Sequence, residues 1–486
     1  MSDKIKKEML SGMKWVATGR LFTQLITWGM TFFVLRLLAP SDYGLVALST
    51  AFTALFGLIA EFGFAAAIVQ AKDVEKEQLA SLFGYSLALN GLVTLLLVIG
   101  APLIAMLYAD SRLTIIIQVA ACQFVISAFG TIPDARLRRE MRFREMATID
   151  FSTGAITGVL TLVFAYKGLG YWSLILSPLC GSVFRTLFLH FQLRDWVWPS
   201  LSLFPVRELV KFGGLTMAGR IAGHFLSQMD ILIAGAFLGR DALGIYSVAM
   251  QLASMPLSKA MGVINQVAFP AMSRMNHNGS LTGERLLHGG KLISYLLFPV
   301  MWGLAAVAPF VVGILMGEKW KDAVLPLQIV CLVLPLRSIC TLLTTAVSAF
   351  GRADIELKNT LTAFLIFPIC LFVGVHYGVL GLSLSWFFGT PIYTYLTVRS
   401  SKDVLGFNYR DIFIALLGPF LTSSVMFLTV MMLTSFLNLS YLSIPSLLAL
   451  VLIGVISNVC ALFIFDRKTF SLCTRFISRK YSFKPE

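Results

Sequence analysis

Charge is what this chain has least of. Only 13% of its 486 residues are Asp, Glu, Lys or Arg, about half the roughly 25% of an ordinary soluble domain. A water-soluble globule needs polar residues to cover its surface. With 57% hydrophobic residues and a mean hydropathy of +0.82, this chain cannot be one. Cysteine is sparse too. Cys122, Cys180, Cys331, Cys340, Cys370, Cys460 and Cys473 form no C-x-x-C pair, and all but Cys473 stand in apolar runs. They read as small hydrophobes, not as a disulfide framework or a metal site. Catalytic and nucleotide-binding motifs are missing: no Gly-rich loop ending in Lys-Ser/Thr, no H-E-x-x-H, no G-x-S-x-G between a strand and a helix. An ATP-driven pump within the chain is excluded, and no enzyme and no cofactor are expected. Long polar loops are absent as well, so there is no room for an extramembrane domain.

What is present is a series of apolar runs long enough to cross a bilayer. They fall at roughly 14–38, 43–70, 79–108, 113–133, 146–166, 169–190, 207–238, 242–273, 287–316, 323–350, 356–376, 379–399, 410–435 and 443–465. The expected fold is an all-α polytopic membrane protein of about fourteen transmembrane helices. The first run, Trp15–Leu38, exceeds a signal-peptide core and has no cleavage pattern after it, so it reads as a retained span. Turn chemistry marks several loops: Ala39-Pro40-Ser41-Asp42, Lys167-Gly168-Leu169-Gly170, Gly239-Arg240-Asp241 and Tyr377-Gly378.

A net charge of +14 raises nucleic acid as a partner, but the basic residues are scattered among short loops without a basic helix. Retention of Lys and Arg on the cytoplasmic side is the simpler cause. Twenty-nine Lys and Arg lie on the side that carries the N-terminus, the loops near 72–76, 136–144, 185–211, 274–291, 352–358 and 399–410, and the tail from Arg467. Six lie on the other: Arg36, Arg112, Lys167, Arg240, Lys319 and Lys321. Both termini are therefore expected in the cytoplasm, which requires an even number of spans.

A faint internal repeat accompanies the spans. A shift of 200 residues aligns Gly19-Arg20 with Gly219-Arg220, Leu38 with Leu238 and Gly44 with Gly244. A shift of 210 pairs Arg142 with Arg352, Gly168 with Gly378 and Ser173-Leu174 with Ser383-Leu384. Span 1 then meets span 7, and span 5 meets span 11. The expected organisation is two pseudo-symmetric six-helix bundles, residues 1–200 and 201–402, related by an axis along the membrane normal. Spans 13 and 14 with a basic cytoplasmic tail occupy 403–486.

Four basic residues, Arg20, Arg220, Lys259 and Arg337, and two acids, Glu61 and Asp230, fall within the spans. A charge at mid-span costs roughly 2.5–3.5 kcal/mol if it faces lipid, so these face an interior or a watery cavity. Arg20, Gln24, Thr27 and Thr31 share one stripe of span 1; Arg220, His224, Ser227 and Gln228 share the equivalent stripe of span 7. Two such stripes would line a cationic cavity, extended by Arg337 with Ser338 and Thr341 and by Lys259 with Ser258. The competing readings stay open: Arg20 snorkels to the cytoplasmic surface, Arg337 and Lys259 pair with backbone or an acid, and Glu61 and Asp230 are salt-bridge partners or proton or sodium sites. Asp150, near a span end, reads as interfacial.

The run Met316-Gly317-Glu318-Lys319-Trp320, then Pro326-Leu327-Gln328, then Leu336-Arg337-Ser338 resembles the bacterial oligosaccharide flippases of the Wzx type, most of all the colanic acid exporter branch. Lys14-Trp15, Phe62-Gly63 and Arg138-Arg139-Glu140-Met141-Arg142-Phe143 are similar to that branch too. The resemblance implies the multidrug/oligosaccharidyl-lipid/polysaccharide exporter superfamily and a V-shaped cavity between two bundles. It implies transport of undecaprenyl-diphosphate-linked repeat units from the cytoplasmic to the periplasmic leaflet of the bacterial inner membrane by alternating access, for exopolysaccharide or lipopolysaccharide assembly. The polymerase and chain-length machinery would be partners. An Arg-rich cavity suits a diphosphate. The alternatives are an ion-coupled drug or metabolite antiporter of the same superfamily, or a polymerase or ligase, which would need a larger periplasmic loop. Coupling to H+ or Na+ is left open.

Overall fold

The structure, a computed structural model, describes residues 28–60, 76–193, 196–201, 207–277, 282–436 and 443–471; along 207–220 and at 260, 263–271, 273 and 275–277 it describes the backbone alone. Among the described residues all regular structure is helical. A short helix α1 (Trp28–Leu37) precedes α2 (Pro40–Ala60), α3 (Lys76–Leu107), α4 (Arg112–Arg139), α5 (Phe143–Tyr166), α6 (Trp172–Leu193), α7 (Arg207–Phe237) and α8 (Arg240–His277). Then come α9 (Gly283–Val311), α10 (Val324–Ala349), α11 (Ala353–Val375), α12 (Gly378–Leu405), α13 (Tyr409–Phe436) and α14 (Ile444–Phe465). Ten helical segments are long and apolar enough to cross a membrane; α1, α7, α8 and α12 do not meet that test over their described residues. The chain is a multi-pass membrane protein, and the helices follow the expected spans in order. Two ends differ from expectation: α4 runs on through Pro133 to Arg139, and α12 runs to Leu405.

Helix α3 shows why these segments belong in lipid. Val93, Leu97, Ala101 and Ala105 are buried at successive turns, while Leu92, Leu95, Leu96, Ile99, Leu103 and Met106 are exposed. Both faces are apolar, so the helix has no side suited to water. Within lipid each backbone group must find its partner inside the protein, and a proline frees the carbonyl four residues earlier. Three neighbouring helices supply the missing donor. Pro102 frees Val98, whose carbonyl accepts from Gln118 Nε2 at 3.2 Å. Pro133 frees Phe129, which accepts from His190 Nε2 at 3.0 Å. Pro309 frees Ala305, which accepts from Gln328 Nε2 at 3.0 Å.

The chain divides into two compact units, Met1–Gly244 and Ile245–Glu486, with the boundary inside α8. In the first unit α4 is central, packing on α3 and α6 and burying Leu113, Ile116, Ile117, Ala121 and Ala128 completely. That is one helical stripe. In the second unit α10 packs on α9 and α12, burying Leu327, Val330, Cys331, Ala346 and Val347.

The turn between α1 and α2 meets the turn between α7 and α8 in the first unit. A Cβ on Gly44 would stand 2.2 Å from the Arg240 carbonyl oxygen, and one on Gly244 would stand 1.7 Å from that of Pro40. These are the positions a 200-residue shift pairs, and the contact is reciprocal, as in an isologous interface. Asp42 ties the same turn to the one before α6, accepting from Ala39 N at 3.0 Å and Tyr171 N at 3.1 Å. Gly168 and Gly170 turn that chain with φ of 78° and 56°, a region open to glycine.

Candidate cargo site

The intramembrane residues divide by what the structure describes. Arg20, Gln24 and Glu61 lie outside the described residues, as does the side chain of Arg220, although α7 passes through that position. His224 is half-buried one turn further on, where its carbonyl accepts from Ser227 Oγ at 2.7 Å. Its Nε2 is buried without a hydrogen-bond partner among the described residues. Asp230 is 3% exposed and accepts from Ile231 N at 2.9 Å. Both belong to the first unit. Lys259 and Arg337 belong to the second, Lys259 exposed and Arg337 half-buried.

Arg337 is the best defined of these. Its guanidinium carbon stands 5.1 Å from the centroid of the Trp386 ring, within cation–π range. No carboxylate among the described residues forms an ion pair with it. Two hydroxyls expected to join it are turned to their own helix: Ser338 Oγ donates to Pro335 O at 2.6 Å and Thr341 Oγ1 to Arg337 O at 3.1 Å. Nothing in the sequence couples Trp386 to Arg337, because the pairing comes from α10 packing on α12.

Other arginines are paired with carboxylates. Arg185 donates from Nη2 to Asp134 at 2.9 Å and pairs with Asp150 at 3.2 Å, while Arg138 Nε holds the second oxygen of Asp134 at 2.7 Å. Asp110, 6% exposed, receives Arg112 Nε at 3.3 Å and Arg240 Nε at 2.6 Å. Both clusters tie helix segments together, the first balancing two arginines with two carboxylates and the second setting two arginines against one.

The motif run beside Arg337 is structural in two of its three parts. Gly317 turns the chain at φ 95°, and Trp320 is fully buried. Gln328 repairs the break made by Pro309. Glu318 and Lys319 are exposed in the short helical turn before α10, and Arg337 is the one charge of the run that lies within α10.

A cavity of about 1170 Å³ opens at the start of α9, lined in part by Arg285, His288, Lys291, Glu284 and Asp411. Its cations are offset by its acids. Beside it Asp466 accepts from Lys291 at 2.6 Å, Tyr295 Oη at 2.9 Å and Thr469 Oγ1 at 2.9 Å. Burial alone raises this carboxyl; the Lys291 ammonium and the donors of Thr469 and Tyr295 outweigh it and hold the pKa down to about 2.

Known proteins resemble the chain along most of its length. The lipopolysaccharide biosynthesis protein WzxC of Escherichia coli (strain K12) is 25% identical over 460 residues, covering 93% of this chain and 89% of that protein. The teichuronic acid biosynthesis protein TuaB of Bacillus subtilis (strain 168) is 24% identical over 427 residues, covering 87% and 88%. The lipid II flippase MurJ, in an inward closed conformation, superposes with a TM-score of 0.72 at 14% identity, over 93% of this chain and 99% of that one. That likeness shows a shared fold. Residues 33–325 match the family described as "Polysaccharide biosynthesis protein", and the chain belongs to that family.

Proposed function

We propose that this protein is a flippase that carries undecaprenyl-diphosphate-linked oligosaccharide repeat units from the cytoplasmic to the periplasmic leaflet by alternating access, for assembly of a colanic acid-like exopolysaccharide or an O-antigen. Family membership over residues 33–325 and relatives named for surface polysaccharide biosynthesis support the class of cargo. The observation that carries the mechanism is Arg337, a guanidinium within a membrane-spanning helix that no carboxylate among the described residues neutralises. In a medium of low dielectric such a cation attracts a diphosphate far more strongly than in water. Arg binds phosphate through paired donors. Arg20, Gln24, Arg220, His224 and Lys259 complete the proposed cationic surface.

In this reading the protein moves cargo without chemistry of its own. It sits in the bacterial inner membrane with both termini in the cytoplasm and hands cargo to the polymerase and chain-length machinery. Residues 1–200 and 201–402 are the proposed rocking halves. Glu61 and Asp230, the latter buried, are the candidates for proton or sodium coupling or for salt bridges within the membrane.

Deletion of the gene in its own host tests the function. The expected result is repeat units trapped on the cytoplasmic leaflet, restored by the wild-type gene, partly by Arg220→Lys and not by Arg220→Ala. Normal surface polysaccharide after deletion, in a host with no second flippase, would overturn it.

A further inference from the structure

We infer that Trp386 and Tyr246 are positioning residues that hold Arg337 ready for the anionic group of the cargo, an inference that rests on the proposed function. An arginine side chain is long and loses much rotamer freedom when it is fixed by a ligand. Binding is tighter when that freedom is already lost in the free protein. Here a buried aromatic shelf supplies the constraint.

Trp386 is 3% exposed and Tyr246 is fully buried. The indole Nε1 donates to Tyr246 Oη at 2.8 Å, which fixes the ring in its own plane. Phe367 packs against the same indole with centroids 4.8 Å apart, and Tyr393 packs on Phe367 at 5.6 Å. Three side chains from α8, α11 and α12 thus hold one ring, directly or through Phe367, and the guanidinium of α10 lies over it.

The chemistry of the shelf explains why aromatics stand where an acid would be the ordinary partner. A carboxylate would neutralise Arg337 and compete with an incoming phosphate. The face of an indole attracts the cation through its quadrupole and carries no net charge. It uses only one face of the planar guanidinium, leaving the N–H groups around its edge to donate to a diphosphate. Arg112 and Arg467 also lie over rings, of Tyr171 at 6.0 Å and Phe463 at 5.3 Å, but both stand near helix ends, whereas Arg185, within a span, is held by two carboxylates.

The test is binding of undecaprenyl diphosphate to the purified full-length protein in lipid nanodiscs, with undecaprenol as the uncharged control. Trp386→Leu is expected to weaken diphosphate binding about tenfold and leave undecaprenol binding unchanged. Trp386→Phe, which keeps an aromatic face but loses the indole N–H and the larger ring, should lose about threefold, and Tyr246→Phe, which keeps the indole and removes only the hydroxyl that anchors it, should lose about twofold. The double variant Trp386→Leu/Arg337→Ala should bind no more weakly than Arg337→Ala alone, because the shelf acts only through the arginine. Two results overturn the inference: unchanged diphosphate affinity in Trp386→Leu and Tyr246→Phe, or losses that multiply in the double variant. Failure of the wild-type protein to prefer the diphosphate over undecaprenol would instead overturn the cationic site, and the shelf with it.

Discussion

Arg185 and Arg337 are both half-buried arginines on membrane-spanning helices, one in each compact unit. Arg185 lies between Asp134 and Asp150, with Arg138 closing the cluster. Arg337 lies over Trp386, with no carboxylate paired to it among the described residues. The same residue type therefore does two jobs, and its partners decide which. An arginine clamped by carboxylates spends its donors on the scaffold. One held by a neutral ring keeps its charge and its edge for something that arrives from outside.

The comparison can be broken from either side. The largest effect is expected where Arg337 is given the partner it lacks. Thr341 stands one helical turn away on α10, its hydroxyl already turned to the Arg337 carbonyl. A Thr341→Glu substitution would place a carboxylate at the i+4 spacing suited to an ion pair. Complementation of the deletion strain should fall ten- to a hundred-fold at normal protein levels, the loss of a charge-assisted contact of about 1.5–3 kcal/mol. Activity equal to wild type would mean that Arg337 need not be open.

From the other side, Arg185→Leu should cost stability and spare the chemistry of binding. It leaves the Asp134 oxygen that now accepts at 2.9 Å without that donor. An abandoned charge-assisted bond costs about 2–3 kcal/mol, readable as a lower unfolding temperature in detergent. Diphosphate affinity of the folded fraction should not change.

The smallest effect is expected at the end of α14. The Asp466 carboxyl has an ordinary value of 3.8 and is held down to about 2. Its contribution to stability is therefore present above about pH 4 and fades as pH falls through 2. Asp466→Asn should lower stability by about 1–2 kcal/mol at neutral pH and flatten the acid limb of the unfolding profile below pH 4. An unaltered acid limb would show that the contact with Lys291 does not persist in the membrane protein.

Much of this fold is legible in the sequence because lipid leaves so few options. Apolar length and the self-pairing of backbone groups order the helices, and Lys167-Gly168-Leu169-Gly170 announces a turn that the glycines make at positive φ. Side-chain partnerships are another matter. The spans contain many prolines, and sequence alone does not say that Gln118, His190 and Gln328 answer three of them. Those donors come from neighbouring helices, and helix neighbourhood is not written in periodicity. The candidate site divides the same way. Arg337 stands out as a charge in an apolar run, but Trp386 and Tyr246 look like ordinary membrane aromatics until α8, α10 and α12 are packed. The motif run teaches a similar lesson, since Trp320 and Gln328 serve the scaffold, Glu318 and Lys319 stand exposed before α10, and only Arg337 places a charge within that helix.

The account turns on whether this protein moves an anionic lipid-linked cargo and whether Arg337 takes part. The most direct measurement is translocation of a fluorescent undecaprenyl-diphosphate-linked sugar across liposomes containing the purified protein, its outer-leaflet fraction read with a membrane-impermeant quencher. Wild-type protein should equilibrate the lipid between leaflets, Arg337→Lys should do so more slowly, and Arg337→Ala should fall to the rate of empty liposomes. Translocation by Arg337→Ala at the wild-type rate, or none by the wild-type protein, would contradict it.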